Sequence, residues 1–320
     1  MVNESPRVSV VVPCFNHGRY LRQRLDSIFA QTFRDFEWIF LDDASTDDSR
    51  QVFDHYRYEA RLAHVVFNER NSGNLFLQWN RGFRLARGEY VWIAESDDFS
   101  SPRFLEVLVE RLDAHPRAAI AQSQSRMVGP DGAFLYDGTE HTRDIDQTRW
   151  SSDFVADGDL ERREFLSRRN TIPNVSACLL RRSVAEAAGF AGTRRRFCED
   201  WLLYVRMLHG HELAFVAEPL NFCRCHPTNT RSSNARTGEI EEFYAVLREL
   251  RKRWIPSESA EEFLAAHIYA RWAELFAAAP RNFPVTRLGS LLVDGLRSDR
   301  RFFDRVKSSV LSRIRRRRSQ

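Results

Sequence analysis

Short apolar runs alternate with stretches of helical spacing over the first hundred residues. The apolar runs have the length and the β-branched and aromatic content of buried strands, and they cover residues 8–12, 36–41, 62–68 and 90–94. The stretches between them repeat apolar residues every three or four positions, which predicts helices over residues 20–31, 46–58 and 74–87. Successive strand–helix units at this spacing predict right-handed βαβ connections and a parallel sheet covered by helices.

Two acidic segments directly follow predicted strands. Asp42-Asp43 ends the second strand, and Glu95-Ser96-Asp97-Asp98 ends the fourth. Because the carboxyl ends of parallel strands share one edge of the sheet, both segments should meet where open α/β sheets bind their ligands. Three carboxylates in four residues repel one another, and a divalent cation with oxygen ligands would relieve that repulsion. The alternative is that these acids cap the helix that begins near Pro102.

The second half of the chain alternates less regularly. Its pattern predicts helices over residues 103–114, 160–170, 182–188 and 201–208, and strands over residues 118–124, 174–180 and 215–216. Residues 129–158 have weak periodicity, and a loop of that length inside a domain is usually functional or mobile. From residue 237 the pattern is helical. We therefore expect a domain over residues 1–235, a helical appendage over 236–299 and a tail over 300–320.

Composition excludes several classes of protein. Of the 320 residues, 43% are hydrophobic and 29% are charged, which is typical of a soluble globular protein. No window approaches the roughly 20 apolar residues that span a bilayer, and the N-terminus does not have the pattern of a secretion signal. Five cysteines without framework spacing indicate free thiols in a reducing compartment. We expect a cytoplasmic protein.

Positive charge is concentrated at the end of the chain. Residues 300–320 contain nine Lys or Arg and one Asp, whereas the whole chain carries a net charge of +4. Apolar residues at helical spacing accompany these cations over residues 300–318, which favours a helix lying on an anionic membrane surface. A solvated terminus is the plain alternative. Nucleic acid is disfavoured as a partner, because no aromatic stacking platform accompanies the arginines.

Several familiar ligand motifs are absent or incomplete. No G-x-G-x-x-G follows the first strand, and no G-x-x-x-x-G-K-[ST] occurs, which argues against redox dinucleotides and P-loop chemistry. Cys223-Arg224-Cys225-His226 has the ligand types of a soft-metal site, but a second pair of ligands is missing.

Three segments taken in order resemble family 2 glycosyltransferases with the GT-A fold. These segments are VSVVVPCFNHGRYLRQRLDSIFAQTF, FEWIFLDDASTDDS and RNSGNLFLQWNRGFRLARGEYVWIAESDDF, and the resemblance extends over residues 7–230. It implies an α/β fold with a Rossmann-like, mostly parallel sheet flanked by helices and followed by the helical appendage. It also implies inverting transfer of a sugar from a nucleotide-diphospho-sugar, UDP- or dTDP-linked, to a hydroxyl of a glycan or lipid-linked acceptor.

The same resemblance implies a setting, a cofactor and an alternative. Relatives of this kind act in bacterial cell-surface polysaccharide synthesis, which suits a protein that is peripheral on the inner face of the cell membrane. They use Mg²⁺ or Mn²⁺ against the diphosphate. The alternative function is a non-catalytic nucleotide-sugar-binding or assembly subunit with the same fold.

Donor-binding residues follow from matching the family motifs onto this chain. Pro13, Phe15 and Asn16 match the loop that lines the nucleoside. Asp43 matches the acid that hydrogen-bonds the base edge, as an ionised carboxylate can accept from the imide N–H of uracil or thymine. The turn and helix under the donor are matched by Asn71 and Gly73, with Asn80 either in the pocket or pinning a loop.

Metal ligands are expected in the second acidic segment, Glu95-Ser96-Asp97-Asp98, which we call the acidic run. Alignment of the preceding strand favours Asp98 as the ligand, with Asp97 facing the ribose or a metal-bound water. Glu95 departs from the Asp that is commonest in the family. His226 matches a C-terminal histidine beside the metal or diphosphate, although a lone histidine is more often a structural residue. Arg224 and Arg231 could reach phosphate oxygens.

The general base is expected at Asp200. Glu199-Asp200 matches the family's acid pair at the start of a helix near the acceptor. A carboxylate there would take the proton from the attacking sugar hydroxyl. Capping of the helix is the plain alternative, and the two roles are compatible because a capping position holds the side chain rigidly.

Overall fold

Four parallel strands form the half of the sheet that local sequence patterns predict. They are β1 (Val8–Cys14), β2 (Phe36–Asp42), β3 (Leu62–Phe67) and β4 (Tyr90–Ile93), in the spatial order β3–β2–β1–β4. Every residue of β1, β2 and β4 is buried, as expected for parallel strands whose two faces are both covered. The predicted parallel sheet is confirmed over this region.

Helices cover both faces of β1. The helices of this half are α1 (Gly18–Phe29), α2 (Ser49–Asp54), α3 (Leu75–Leu85) and α4 (Phe104–Ala114). Val10 packs with Leu21 and Leu25 of α1 in the main hydrophobic core. On the other face, a Cβ on Gly82 of α3 would lie 2.3 Å from the Val11 side chain, so only glycine allows α3 this close to the sheet.

Helix α2 is shorter than its pattern predicts. The prediction of a helix over 46–58 is wrong at both ends, since α2 begins at Ser49 and ends at Asp54. The Ser45 amide donates to Asp42 Oδ2 at 3.2 Å, and the Thr46 amide donates to Asn16 Oδ1 at 2.7 Å. These bonds hold the segment against the β1–α1 loop, and a contact with a distant residue leaves no trace in local periodicity.

The rest of the sheet is mixed. It contains β5 (Phe99–Ser100), β6 (Ala118–Val128), β7 (Phe134–Asp137), β8 (Phe154–Asp157), β9 (Cys178–Arg181) and β10 (Glu212–Arg224). The order continues as β4–β9–β6–β10–β5, with β9 antiparallel to both of its neighbours and β6 parallel to β10. In the part of the chain that the structure describes, the sheet has ten strands.

Two expectations for this half need correction. Residues 129–158 are not one long loop, because β7 pairs with β6 and β8 pairs with β10. The predicted short strand at 215–216 is instead part of the 13-residue β10. The register between β10 and β6 shifts on both sides of Pro219. Proline lacks the amide donor of a regular ladder, so the sequence suggests a break where the structure has an irregularity.

Short helices connect these strands. They are the 3₁₀ helices Gly138–His141, Arg149–Ser151 and Val175–Ala177, the helices α5 (Gly158–Leu160), α6 (Arg182–Ala187) and α7 (Glu199–Met207), and the π-helix Glu161–Leu166. The predicted helix over 160–170 is thus one short turn that continues as a π-helix. Among the described residues, no helix is both long and apolar enough to cross a membrane.

The computed structural model describes residues 5–226, 242–243, 245–250 and 256–263. The chain divides into two compact units, one of residues 1–161 and 171–233 and the other of residues 162–170 and 234–320. All ten strands belong to the first unit. Most of the expected appendage and the whole basic tail lie outside the described residues, so the three-part division stays a prediction.

Candidate functional site

A cavity of about 230 Å³ opens at the carboxyl ends of β1, β2 and β4. We call it the first cavity. Both acidic segments reach it, Asp43 from the end of β2 and Glu95, Ser96 and Asp97 from the end of β4, as the shared edge of parallel strands predicts. Other residues of its wall are Pro13, Phe15, His17, Asn71, Gly73, Asn74, Gln78 and Arg196.

Asp43 is held by a dense set of donors at one end of the first cavity. Its Oδ1 accepts from Asn68 Nδ2 at 2.6 Å and from Gln78 Nε2 at 2.9 Å. Its Oδ2 accepts from the Ser72 hydroxyl at 2.7 Å, and the Ser72 amide reaches both oxygens. The carboxylate is only 5% exposed. These bonds fix its orientation toward the cavity before any ligand arrives.

The turn beside Asp43 depends on Asn71 and Gly73. The Asn71 amide group donates to the Asp43 carbonyl at 3.1 Å, and Asn71 Oδ1 accepts from the Gly73 amide at 2.7 Å. Gly73 has a φ of +69°, a conformation that residues with a Cβ rarely adopt. Asn80 instead exchanges two hydrogen bonds with the backbone of Ala191, so it pins a loop and lies outside the cavity wall.

Asn16 stabilises the β1–α1 loop but does not line the cavity. Its Oδ1 accepts from the Thr46 amide, and its own amide donates to Ser45 Oγ at 3.0 Å. It has a φ of +55°, and its side chain is not part of the wall. Pro13 and Phe15, its neighbours in the β1–α1 loop, do line the cavity.

Three potential metal ligands meet on the β4 side of the first cavity, where His17 and Asp97 line the wall and His226 contacts Asp97. One ligand atom each from His17, Asp97 and His226 lies within 4.8 Å of the other two. His226 Nε2 is 3.0 Å from Asp97 Oδ2, and His17 Nδ1 is 2.8 Å from Ser96 Oγ. Within the described residues this is the one cluster of His, Cys, Asp or Glu that could hold an ion. Cys223 and Cys225 do not join it.

Sequence reasoning missed His17. The residue follows β1 in the same loop as Phe15 and Asn16, and therefore lies at the sheet edge where the acidic run ends. The strand order of the fold brings this loop to the acidic run, because β1 and β4 are adjacent and parallel. His226 comes to the same point from the residues after β10, more than a hundred positions away along the chain.

The pKa values of the acids in the run are shifted in opposite directions. Burial alone would raise the pKa of Asp97, but the His226 hydrogen bond and the nearby His17 outweigh it, and its pKa lies below the ordinary value. Burial, followed by repulsion from Asp97, raises the pKa of Glu95 well above the usual range. Trp79 Nε1 donates to Glu95 Oε1 at 2.7 Å. The ionised member of this pair is therefore Asp97.

Asp98 faces away from the first cavity. Its Oδ1 accepts from the Arg224 amide and its Oδ2 from Asn174 Nδ2, both at 2.9 Å. Burial and the Asp97 charge raise its pKa. Arg24, fully buried on α1, lies 4.0 Å from Asp98 Oδ2. These contacts tie β10 and the segment before β9 to the acidic run, and each oxygen of Asp98, a residue that was expected to bind the metal, accepts one of the two hydrogen bonds.

Arg224 is also a scaffold residue. Its Nε donates to the Asp97 carbonyl at 2.8 Å, and one terminal nitrogen donates to Gln23 Oε1 at 2.6 Å. The other terminal nitrogen donates to the carbonyls of Gly129 and Pro130. Since the side chain is 3% exposed and bound on all sides, it is committed to protein acceptors. Arg196 is the arginine of the cavity wall, and Arg231 lies outside the described residues.

Asp200 is the second residue of α7 and is 8% exposed. It lines neither this cavity nor the second cavity described below. Burial, followed by the Asp200 charge, raises the pKa of the Cys178 thiol, so Asp200 lies near the start of β9. Its neighbour Glu199 forms an ion pair with Arg195 at 3.1 Å. The structure thus gives the two acids separate environments.

The fold is similar to solved structures at low sequence identity. S. aureus TarS 1–349 in complex with UDP-GlcNAc gives a TM-score of 0.68 at 17% identity, over 91% of this chain and 81% of that one. The mannosyltransferase PcManGT from Pyrobaculum calidifontis, in complex with GDP-Man and Mn²⁺, gives 0.60 at 17% identity, over 92% and 88%. These likenesses confirm the predicted GT-A fold.

Sequence comparison identifies the family. The poly(ribitol-phosphate) beta-N-acetylglucosaminyltransferase TarP of Staphylococcus aureus (strain N315) is 35% identical over 106 residues, which are 32% of this chain and 32% of TarP. The chain spans less than half the length of the curated relatives it matches. The model of glycosyl transferase family 2 matches residues 9–189, more than half of the chain. The chain therefore belongs to glycosyl transferase family 2.

Proposed function

We propose that the protein is an inverting glycosyltransferase. It moves a sugar from a nucleotide-diphospho-sugar, UDP- or dTDP-linked, to a hydroxyl of a glycan or lipid-linked acceptor. The observation that carries this proposal is the meeting of His17, Asp97 and His226 on one side of a cavity whose wall also contains Asp43. A cation-binding end and a base-binding end are the two features that a nucleotide diphosphate requires.

The three ligand residues fit a divalent cation. Asp97 is the ionised acid of the run, and the two imidazoles leave room for further oxygen ligands from a diphosphate or water. When bound, the ion supplies positive charge that neutralises the departing nucleoside diphosphate. Imidazole nitrogen favours Mn²⁺ over Mg²⁺, which prefers oxygen ligands and keeps several waters. PcManGT, a distant neighbour in fold, is a Mn²⁺ complex.

Asp43 carries the proposed selectivity for the base. Its carboxylate is fixed by Asn68, Ser72 and Gln78 and offers oxygen acceptors to the imide N–H of uracil or thymine. Pro13 and Phe15 pack on the nucleoside, and the Asn71–Gly73 turn closes the wall beside it. Of the neighbours in fold, TarS is a UDP-GlcNAc complex and PcManGT a GDP-Man complex, so the proposed choice of a uridine or thymidine donor rests on Asp43.

Asp200 is the proposed general base. The acceptor oxygen attacks the anomeric carbon from the side opposite the diphosphate, and its proton passes to Asp200. One displacement of this kind inverts the configuration. Since Asp200 is largely shielded, we expect the loop before α7 to shift when both substrates bind. Arg196 in that loop lines the first cavity, and Asn74 holds the carbonyls of Thr193 and Arg195.

The cellular setting belongs to the same proposal. TarP acts on poly(ribitol phosphate) by its name, and this supports a place in bacterial cell-surface polysaccharide synthesis. A lipid-linked acceptor would bring the protein to the inner face of the membrane, with residues 300–318 on the anionic surface. That segment lies outside the described residues, so vesicle binding by the full chain and by a chain ending at residue 299 would test it.

Calorimetry with a donor panel tests the proposed function. UDP-, dTDP- and GDP-sugars are titrated into the full chain with and without Mn²⁺, and we expect Mn²⁺-dependent binding of a uridine or thymidine donor. Asp97→Asn should remove the Mn²⁺ dependence, whereas Asp98→Asn should keep it and lower the melting temperature. The reverse pattern would return the ligand role to Asp98.

Hydrolysis separates the enzyme from a binding subunit. An enzyme of this kind releases free sugar slowly when water replaces the acceptor, and Asp97→Asn should abolish that release. Donor binding without hydrolysis or transfer, across the whole panel, would favour the non-catalytic alternative.

A further inference from the structure

A second cavity, of about 260 Å³, lies in the mixed half of the sheet. Gln122 and Gln124 of β6 and Phe215 of β10 contribute to its wall, together with Trp150 and Tyr136 from the segment between β6 and β9. Small-molecule pockets usually measure about 300–1,000 Å³. This cavity therefore suits a ligand of the size of a sugar unit better than a long chain.

The wall of the second cavity is almost neutral. Among its described residues, Glu140 and His141 are the side chains that can carry charge near neutral pH, and neither Lys nor Arg contributes. Glu140 pairs with Arg143 at 2.6 Å, which offsets its charge. Anionic ligands are normally met by Arg, Lys or clustered amides. The apolar faces of Trp150 and Phe215, with amide and hydroxyl groups between them, suit a neutral ligand.

Two buried polar groups of this wall have no hydrogen-bond partner among the residues that the structure describes. They are Oε1 of Gln122, a residue that is 6% exposed, and Oγ1 of Thr171, a residue that is 2% exposed. A buried polar group without a partner costs stability and calls for an explanation. An amide and a hydroxyl together accept and donate, which matches the hydroxyls of a sugar.

The second cavity adjoins the acidic run. Asn174 lies in its wall and donates to Asp98 in the acidic run at 2.9 Å. Gln122 pairs across the sheet with Cys178, the residue whose thiol pKa is raised by burial and by Asp200. In the sheet order, β9 and β6 follow directly on β4, which carries the acidic run. The cavity thus lies next to the acidic run and, by way of β9, close to the helix of the proposed base.

We propose that the second cavity is the acceptor subsite and that it receives a neutral, hydroxyl-bearing sugar unit. Gln122 and Thr171 hydrogen-bond its hydroxyls, and Trp150 and Phe215 contact its apolar face. The assignment rests on the proposed function, because it needs a donor in the first cavity. The unit bound here presents one hydroxyl to the anomeric carbon, and its proton goes to Asp200.

Saturation-transfer NMR on the full chain tests the subsite without requiring turnover. The probes are the methyl glycosides of glucose, galactose and N-acetylglucosamine, with glucuronate and ribitol 5-phosphate as anionic probes. We expect saturation of at least one neutral glycoside, unaffected by saturating UDP and Mn²⁺. Saturation of the anionic probes alone, or of none, overturns the proposal.

Substitutions locate the binding. Gln122→Leu keeps the size of the side chain and removes its amide, and it should weaken the glycoside at least tenfold. Ser123→Ala is the matched control, because Ser123 is the next residue of β6, is also buried and has a hydroxyl without a partner among the described residues, but lies outside the cavity wall. It should bind as the wild type does. Equal losses in both variants, or none in Gln122→Leu, overturn the assignment.

Melting temperature and turnover kinetics distinguish a loss of ligand binding from a loss of folding. Because Gln122→Leu removes a buried polar group without a partner, its melting temperature should not fall. Should it unfold, Thr171→Val provides the isosteric replacement. In turnover, Gln122→Leu should raise the acceptor KM at least tenfold while donor affinity and hydrolysis by water stay unchanged.

A wild type that binds glycosides but no donor contradicts the proposed function, whereas the second cavity remains a sugar-binding site. A wild type that binds donor but no glycoside contradicts the subsite.

Discussion

The two cavities of the first unit differ in charge and in construction. The first is built from loops at the carboxyl ends of β1, β2 and β4, and its wall carries three carboxylates, one histidine and one arginine. The second is built on β6 and β10 and on the segment between β6 and β9, and its wall is nearly neutral. Charged side chains are thus concentrated at the proposed diphosphate site, and amide side chains line the proposed acceptor site.

The acidic run is the border between these regions. Asp97 turns to the first cavity and meets His226, whereas Asp98 turns inward to Asn174 and Arg224. Residues 95–98 form a turn in which the Asp98 amide donates to the Glu95 carbonyl at 3.2 Å, and this turn gives the two adjacent acids unrelated partners. Substitutions on one side of the border should leave ligand binding on the other side intact.

The largest expected effect comes from the base. Asp200→Asn should lower the transfer rate by about 10²–10⁴-fold, the usual contribution of a general base. Donor affinity and glycoside binding should both be unchanged, because Asp200 lines neither cavity. Rates come from product release in a coupled assay and affinities from calorimetry. Glu199→Gln serves as the control, since loss of its ion pair with Arg195 should cost stability more than rate. Normal transfer by Asp200→Asn would refute the assignment.

A smaller loss is expected from the metal ligand. Asp97→Asn should lower transfer by about a hundredfold or more, because a bound cation contributes several kcal/mol at the developing charge. The second cavity should still bind methyl glycosides, as measured by saturation-transfer NMR. A joint loss of donor and glycoside binding would mean that the two cavities do not act separately.

His17 tests the part of the first cavity that sequence reasoning did not foresee. His17→Asn should weaken Mn²⁺ binding by about tenfold, with less change for Mg²⁺, because one nitrogen ligand is replaced by an amide. The electron paramagnetic resonance signal of free Mn²⁺ gives the affinity directly. His55→Asn, a substitution of an exposed histidine on the same unit, is the control. Unchanged Mn²⁺ affinity in His17→Asn would reduce the site to Asp97 and His226.

Glu95 should respond least. Its pKa is raised well above the usual range, first by burial and then by Asp97, which favours the protonated form. Glu95→Gln preserves the neutral side chain and the acceptor for Trp79 Nε1. Transfer should fall by less than about tenfold, or 1.4 kcal/mol. A loss as large as that of Asp97→Asn would show that Glu95 works as an anion.

Some features followed from the sequence alone. The continuous β-branched runs at 8–12 and 36–41 and the helical spacing between them determined the parallel half of the sheet, because both signals are local. The same signals brought Asp43 and Asp97 to one edge, since parallel strands end together. The motif order of the first hundred residues determined the family.

Only the tertiary structure decided which groups meet. The choice between Asp97 and Asp98, the recruitment of His17 and the second cavity all depend on contacts between residues far apart in the chain. Sheet pairing joins β7, β8 and β10 across long separations, and no periodicity within a segment encodes its partner. Even Gln122 gave no signal in the sequence. A polar residue in a strand indicates a ligand site only when the fold buries it beside a cavity and leaves its side-chain carbonyl without a partner among the described residues.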